Sequence, residues 1–292
     1  MKKILLYFIY IAGITAFFVY YLFPSDIVNE YIAFKLKEAN PDITLKISRI
    51  KPAFPPGLKF YAANLLHKNN PVIEAEQIKA VPGWLSLFQS EKLVFFTADA
   101  CEGTIKGKAA IAKPADGSAG TRNVADAELS GLRIQKISAV KNLSAHKISG
   151  ILNGNISVGE KGEAVNATLA VSDCNIELAK AILTIGNLTF KNIDAVLLLE
   201  KKRMLQIKEC TFKGAQVNGS LSGTVELKTP AGKSLLHLSG NIAPHPSLIA
   251  SLGGTAGAAF SQKKGAEQSG GIPFTVGGTL ENPEIPFFSM FK

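Results

Sequence analysis

From Asp42 to Leu280 the chain alternates apolar and polar residues with a period of two, in short runs separated by Gly, Pro and Asn. Ile43, Leu45 and Ile47 open the pattern. Val165, Ala167, Leu169 and Val171 show it best, against Asn166, Thr168 and Ala170. Successive side chains of a strand point to opposite faces, so the first set shares an apolar side and the second a wet one. Val165, Leu169 and Val171 are therefore candidates for a core or groove face. Runs of this kind recur at 58–66, 72–81, 93–100, 104–112 and 123–137, then at 148–158, 163–171, 175–185, 191–200, 205–212, 216–227 and 234–242. The turns between them are sharp, Lys68-Asn69-Asn70-Pro71 and Glu102-Gly103 among them, with a polar link at 141–145. No long helix intervenes, which predicts an antiparallel meander. Glycines inside the runs, at Gly150, Gly154, Gly219 and Gly223, mark bulges or strong bends. The fold class is mainly β, a curved or rolled antiparallel β-sheet meander.

A last run, Ile272–Leu280, follows a Gly/Ala/Ser/Gln-rich stretch at 253–271 that, like 113–120, reads as a flexible loop. It is predicted to complete the sheet, with Phe274 and Val276 on its apolar face. Gly277 and Gly278 are expected at a bend, and Asn282-Pro283 is expected to stop the pairing.

Two segments break the period. In Ser25–Ala39 the apolar residues return at helical spacing, and Asn40-Pro41 ends them, so a short helix is predicted to cover part of the sheet. Ile4–Phe23 contains no charge, Pro or Asn. As a helix it would cover about 30 Å, the thickness of a bilayer's hydrocarbon core. Ile4, Leu5, Ile11, Ile14, Phe17, Phe18, Leu22 and Phe23 are its anchor residues. A cleaved signal peptide has a shorter apolar run and a small-x-small site, and Phe23-Pro24-Ser25 offers none. Lys2 and Lys3 on one side, against Asp26 and Glu30 on the other, leave the N-terminus in the cytoplasm. The expectation is one transmembrane helix over 1–23 and a β-rich domain over 24–292, which in a bacterium is periplasmic and tethered to the inner membrane.

Charge changes this picture little. Among 292 residues, 32 Lys and Arg against 23 Asp and Glu give a net +9. The lysines are scattered singly, as on solvated strand faces and blunted edges. A basic stripe with stacking aromatics is missing, so nucleic acid is not an expected partner. Cys101, Cys174 and Cys210 allow at most one disulfide, and each reads as a buried, inert thiol. The four histidines lack ligand spacing for a metal. Ala231-Gly232-Lys233-Ser234 resembles the end of a phosphate loop, but Leu227 stands where its first Gly belongs and a strand follows. Gly219–Gly223 reads GSLSG, with Leu221 in the nucleophile's place. A non-enzymatic chain with no cofactor is expected.

The stretch Ile272-Pro273-Phe274-Thr275-Val276-Gly277-Gly278-Thr279-Leu280-Glu281-Asn282-Pro283 resembles the closing strand of AsmA-like envelope proteins, which ends in G-T-L-x-x-P. The N-terminal order is similar too: a membrane helix, a short amphipathic helix, hairpins, then the Leu85–Phe88 turn leading into Lys92–Gly107. At its length the chain is most similar to type II secretion system protein N, the GspN family. The resemblance implies a bitopic inner-membrane protein with a periplasmic β domain. It would belong to the machine that exports folded proteins through an outer-membrane secretin, and would carry no catalytic residues. Two functions are thus expected: an assembly component acting by contacts with other secretion-system proteins, or an AsmA-like groove for lipid or another hydrophobic ligand.

Overall fold

The computed structural model describes residues 2–53, 57–89, 91–112, 122–143, 146–159, 164–182, 185–200, 203–252 and 271–284. The loop expected at 113–120, nearly all of that at 253–271, and most of the Lys201-Lys202-Arg203 turn lie outside the described residues.

Helix α1 (Lys2–Tyr21) runs for 20 residues and carries no charge after Lys3. Over the described residues taken alone, no helix is long and apolar enough to cross a membrane; several of α1's side chains, Leu5's among them, lie outside that description. Helix α2 (Ser25–Ala39) follows after Pro24 and ends at Asn40, which is extended.

Fourteen strands then form a single sheet in strict chain order. They are β1 (Ile43–Ala53), β2 (Gly57–His67), β3 (Asn70–Pro82), β4 (Lys92–Ala100), β5 (Gly103–Ala112), β6 (Arg122–Arg133) and β7 (Lys147–Val158). After these come β8 (Ala164–Ile182), β9 (Ile185–Glu200), β10 (Met204–Gly214), β11 (Val217–Glu226), β12 (Leu235–Pro244), β13 (Ile272–Gly278) and β14 (Pro283–Glu284). Every neighbouring pair is antiparallel, and the two ends of the order do not pair with each other. The β2–β3 turn is made by Lys68 and Asn69, both at positive φ, as a two-residue hairpin loop requires.

Several details differ from the reading of the sequence. The runs expected at 163–171 and 175–185 are joined, over 164–182, in one 19-residue strand, β8. The polar Ser172-Asp173 between them looks like a turn, but Asp173 takes a φ of 50° and the ladder to β7 shifts instead of ending. The β4–β5 turn is Cys101-Glu102 rather than Glu102-Gly103, with Ala100 paired to Gly103. Arg133 and Lys136 hold the Glu102 carboxylate there. β6 stops at Arg133, and a short helix, α3 (Ser138–Leu143), begins before the expected polar link and runs into it. Another, α4 (Pro246–Leu252), follows the His245 turn. Asn282-Pro283 does not stop the pairing: Gly277 and Gly278 pair with Glu284 and Pro283. Gly278 takes a φ of 75° and the chain reverses over Thr279–Asn282, where the Thr279 N–H donates to the Asn282 carbonyl, so β14 returns alongside.

Two buried clusters lie toward the start of the sheet. Ile47, Ile50, Ala63, Ala75 and Ala100 form the first, under Phe23, Val28 and Ile32. Cys101, Leu129 and Leu132 form the second, beside Ile137.

Candidate functional site, an uncovered apolar face

Directly paired residues share a face of the sheet, so each row can be followed from strand to strand. One row runs Ile50, Phe60, Ile78, Ala98, Ile105, Leu129, Gly154, Leu169, Ala195, Cys210, Leu221, Gly240, Phe274, one residue from each of β1–β13. A second crosses the same strands from Pro52 through Leu58, Phe96, Ile156, Leu197 and Leu238 to Val276. A third goes from Pro82 through Val94, Val158, Val165, Leu199 and Val225 to Leu236. A fourth holds Leu132, Leu152, Val171, Ile193, Phe212, Gly219, Ile242 and Ile272. None of the four contains a charged residue. At about 4.8 Å per strand, the twelve steps of the first row extend about 58 Å.

The opposite face is polar. There the ladder carries Lys51, Lys59, Lys79, Thr97, Lys106, Glu128, Asn155 and Thr168 in order. A depression of about 690 Å³ on that side is lined by Lys208, Ser220, Asn241 and Thr275. It is open, with Lys208 and Glu209 as one ion of each sign and with Leu221, Pro273 and Phe274 among its lining.

Cover over the apolar face is uneven. α2 packs along β1 and α3 touches both β3 and β7. Those two strands are four places apart, so the sheet curls toward the side on which Ile137 joins the second cluster. Beyond β7 most of the rows are half-buried, with Leu169, Leu197, Ile207, Leu221 and Leu238 neither enclosed nor open, but Val225, Leu236 and Ile272 are enclosed. The result is a trough, covered by α2 and α3 near β1–β7 and half-open along its middle rows toward β13. Gly223 lies in it at a φ of 138°, where an added β-carbon would collide with the His237 carbonyl on β12.

The trough gathers Leu169 and Phe274 into one row, with Val165, Val171 and Val276 in the rows beside it. Of the anchor residues, Ile4, Ile11, Ile14, Phe17, Phe18 and Leu22 are exposed on or just after α1, and Phe23 packs against the first cluster. Leu197, Leu199, Ile207, Leu221 and Leu238 belong to the trough as much as the candidates do. Their signal, the same alternation in neighbouring runs, was present in the sequence.

Little chemistry is available along these rows. Their only titratable side chain is Cys210, whose thiol is pushed up by burial and by the Asp194 carboxylate. Burial also raises the Cys101 and Cys174 thiols, and all three cysteines are free. Thiols held above their ordinary range stay protonated and unreactive at neutral pH. Among the described residues no three His, Cys, Asp or Glu converge as metal ligands. The fold and its apolar side thus define an open, curved meander with a trough. No family model matches the chain, and no curated protein or solved structure matches it either.

Proposed function

We propose that this chain is a non-catalytic, membrane-anchored envelope protein that holds lipid acyl chains in the trough of its sheet. The observation that carries the reading is the set of unbroken apolar rows, which extend well beyond the cover of α2 and α3. Contiguous apolar surface of more than a few hundred Å² on a soluble body marks a site of interaction. A trough of that length and without charge suits extended hydrocarbon better than a compact polar ligand. Ile4–Phe23, helical over most of its length, supplies the anchor, with its N-terminus in the cytoplasm and the sheet in the periplasm of a bacterium.

Mass spectrometry of the full chain, purified in mild detergent, is expected to find phospholipid at a fixed ratio to protein. Leu197→Arg, in mid-trough, should lower that ratio, whereas Thr168→Arg on the wet face should not. A lipid-free chain, or equal loss in both variants, would overturn the reading. Ile14→Arg should release the chain from the membrane fraction, since a charge at mid-helix costs about 2.5–3.5 kcal/mol on insertion.

A second reading rests on the edge of the sheet. β14 pairs only with Gly277 and Gly278, which leaves the outer edge of Ile272–Val276 without a strand among the described residues. An open edge can take a strand from another protein. This favours an assembly component of a type II secretion system, and lipid and partner would then occupy different parts of the sheet. Cross-linking from Thr275 in cells is expected to capture a secretion-system protein on this reading, and capture of none sinks it.

A further inference from the structure

The turn between β3 and β4 is built inside out. Its Ser86 is 2% exposed, while Leu85 is 82% and Phe88 92% exposed and Trp84 stands half in water. The Ser86 hydroxyl donates to the Gly83 carbonyl at 2.6 Å and accepts from the Leu93 N–H at 2.9 Å. The Gly83 N–H donates to the Leu93 carbonyl at 2.8 Å. Lys92 Nζ closes the turn by donating to the Gln89 carbonyl at 2.8 Å and to that of Ser86 at 3.4 Å. These bonds fix one shape, and that shape presents a Trp, a Leu and a Phe outward. Collapse onto the sheet would bury them, but it would break the bonds of Ser86.

Beside the turn, on the wet face, Lys51, Lys59 and Lys79 are directly paired across β1, β2 and β3. Like charges set opposite one another destabilise a ladder. Further along, Lys106 has Glu128 opposite it and Lys108 has Asp126 at 3.5 Å, whereas Lys51 and Lys59 have no acid directly opposite them in the ladder. An anionic surface would balance these two.

Both features lie at the end of the sheet from which α1 leaves. α2 turns tightly into β1 at Asn40-Pro41-Asp42 and packs along it, so its N-terminal end and Phe23 lie toward Ala53. The Trp84 turn is at that same end, because Ala80 of β3 pairs through Leu58 to Pro52.

We infer that the Trp84–Phe88 turn and the Lys51–Lys59 pair form a second membrane contact, docking on the anionic surface of the bilayer that α1 enters. Leu85 and Phe88 reach the acyl region, Trp84 sits at the interface, and the lysines meet lipid phosphates. The inference rests on α1 being the anchor. It adds that the start of the trough is held down on the lipid surface rather than swinging free.

Trp84 is the single Trp of the chain, so its fluorescence reports on this turn alone. The full chain is reconstituted into vesicles of phosphatidylethanolamine and phosphatidylglycerol carrying brominated acyl chains. Trp84 emission is expected to move to shorter wavelength and to be quenched by the bromine. Leu85→Asp with Phe88→Asp should abolish both effects. Lys51→Glu and Lys59→Glu should each lower the ratio of docked to undocked turn by about fivefold or more, the worth of one lysine near such a surface. All these side chains are at least partly in water, and a retained β-type circular dichroism spectrum confirms that the variants fold. Flotation with the vesicles reads the anchor separately. A chain that floats while Trp84 is quenched by aqueous iodide and not by bromolipid overturns the docking alone. A chain that does not float removes the anchor and the docking with it. Quenching that depends on protein density at constant lipid assigns the surface to a second copy of the chain, which also overturns the inference.

Discussion

Three phenylalanines of the trough stand directly opposite a glycine: Phe96 and Gly107, Phe212 and Gly219, Phe274 and Gly240. A methyl group added at Gly240 would lie 3.0 Å from the Phe274 ring. Each ring therefore lies across the backbone of the next strand, filling the space its partner leaves, as aromatic residues do over glycine in curved sheets. Gly223 has a different reason to be glycine. At a φ of 138° any other residue is strained, and a β-carbon would collide with the His237 carbonyl. Gly223→Ala is expected to cost about 1–3 kcal/mol, the range for a residue held in a sparsely populated backbone region. Gly186→Ala is the control, since nothing lies within 4 Å of the added carbon. Urea midpoints of the two full-length variants in one detergent measure the difference, and equal midpoints would refute the account. Glycine inside strands was legible in the sequence as a sign of bending. Which phenylalanine each glycine serves was not, because the partner is set by register between strands rather than by anything along one of them.

At the scale of elements, the alternation fails where two inward residues fall three apart. Leu129 and Leu132 both belong to the trough, as do Ile207 and Cys210, and the ladder shifts between the members of each pair. A bulge inserts one residue and restores the face. Read along the sequence, the same spacing looks like the end of a strand, which is why β8 was divided in two at Asp173. The order of hairpins, α2 and the final strand were all legible, since each rests on a run long enough to show its period. The short helices α3 and α4 were not, at six and seven residues, too brief for a helical period to show. Elements also divide the trough by its cover. Leu132, 2% exposed in the cluster that Ile137 packs against, should cost about 2–5 kcal/mol when cut to Ala, as for an enclosed leucine. Leu221→Ala, in the half-open part, should cost less in the lipid-free chain because much of its surface is already wet. The same change should lower lipid retention. Thermal unfolding with and without added phospholipid separates the two, and equal losses in lipid-free protein would mean that the far end is also enclosed.

Over the whole molecule, each strand touches mainly the strands next to it in sequence, and the first and last never meet. Stability in such an array is close to a sum of nearest-neighbour terms, as in repeat proteins, so its ends can open independently. The two clusters of buried residues lie within β1–β7 and their covering helices. The strands from β9 to β13 have the same apolar rows, enclosed at Phe190, Val225, Leu236 and Ile272 and half-buried at Leu197, Ile207, Leu221 and Leu238. A half-buried row gains part of the stabilisation that enclosure would give, about 25 cal/mol per Å² of apolar surface removed from water. On the proposed reading the half-buried rows of the far half are the part that a ligand would stabilise, and amide exchange on the delipidated full chain tests this strand by strand. Backbone amides of Ile47, Ala63 and Ala100, under α2, should exchange slowly whether or not lipid is present. Those of Leu197, Leu221, Leu238 and Val276 should exchange faster without lipid and slow when phospholipid is restored, because a ligand bound only to the folded state stabilises whatever it covers. A uniform response along the sheet would mean that lipid acts on the fold as a whole. No response at β9–β13 would remove the trough as the binding site and leave the open edge of β13 as the working surface of the molecule.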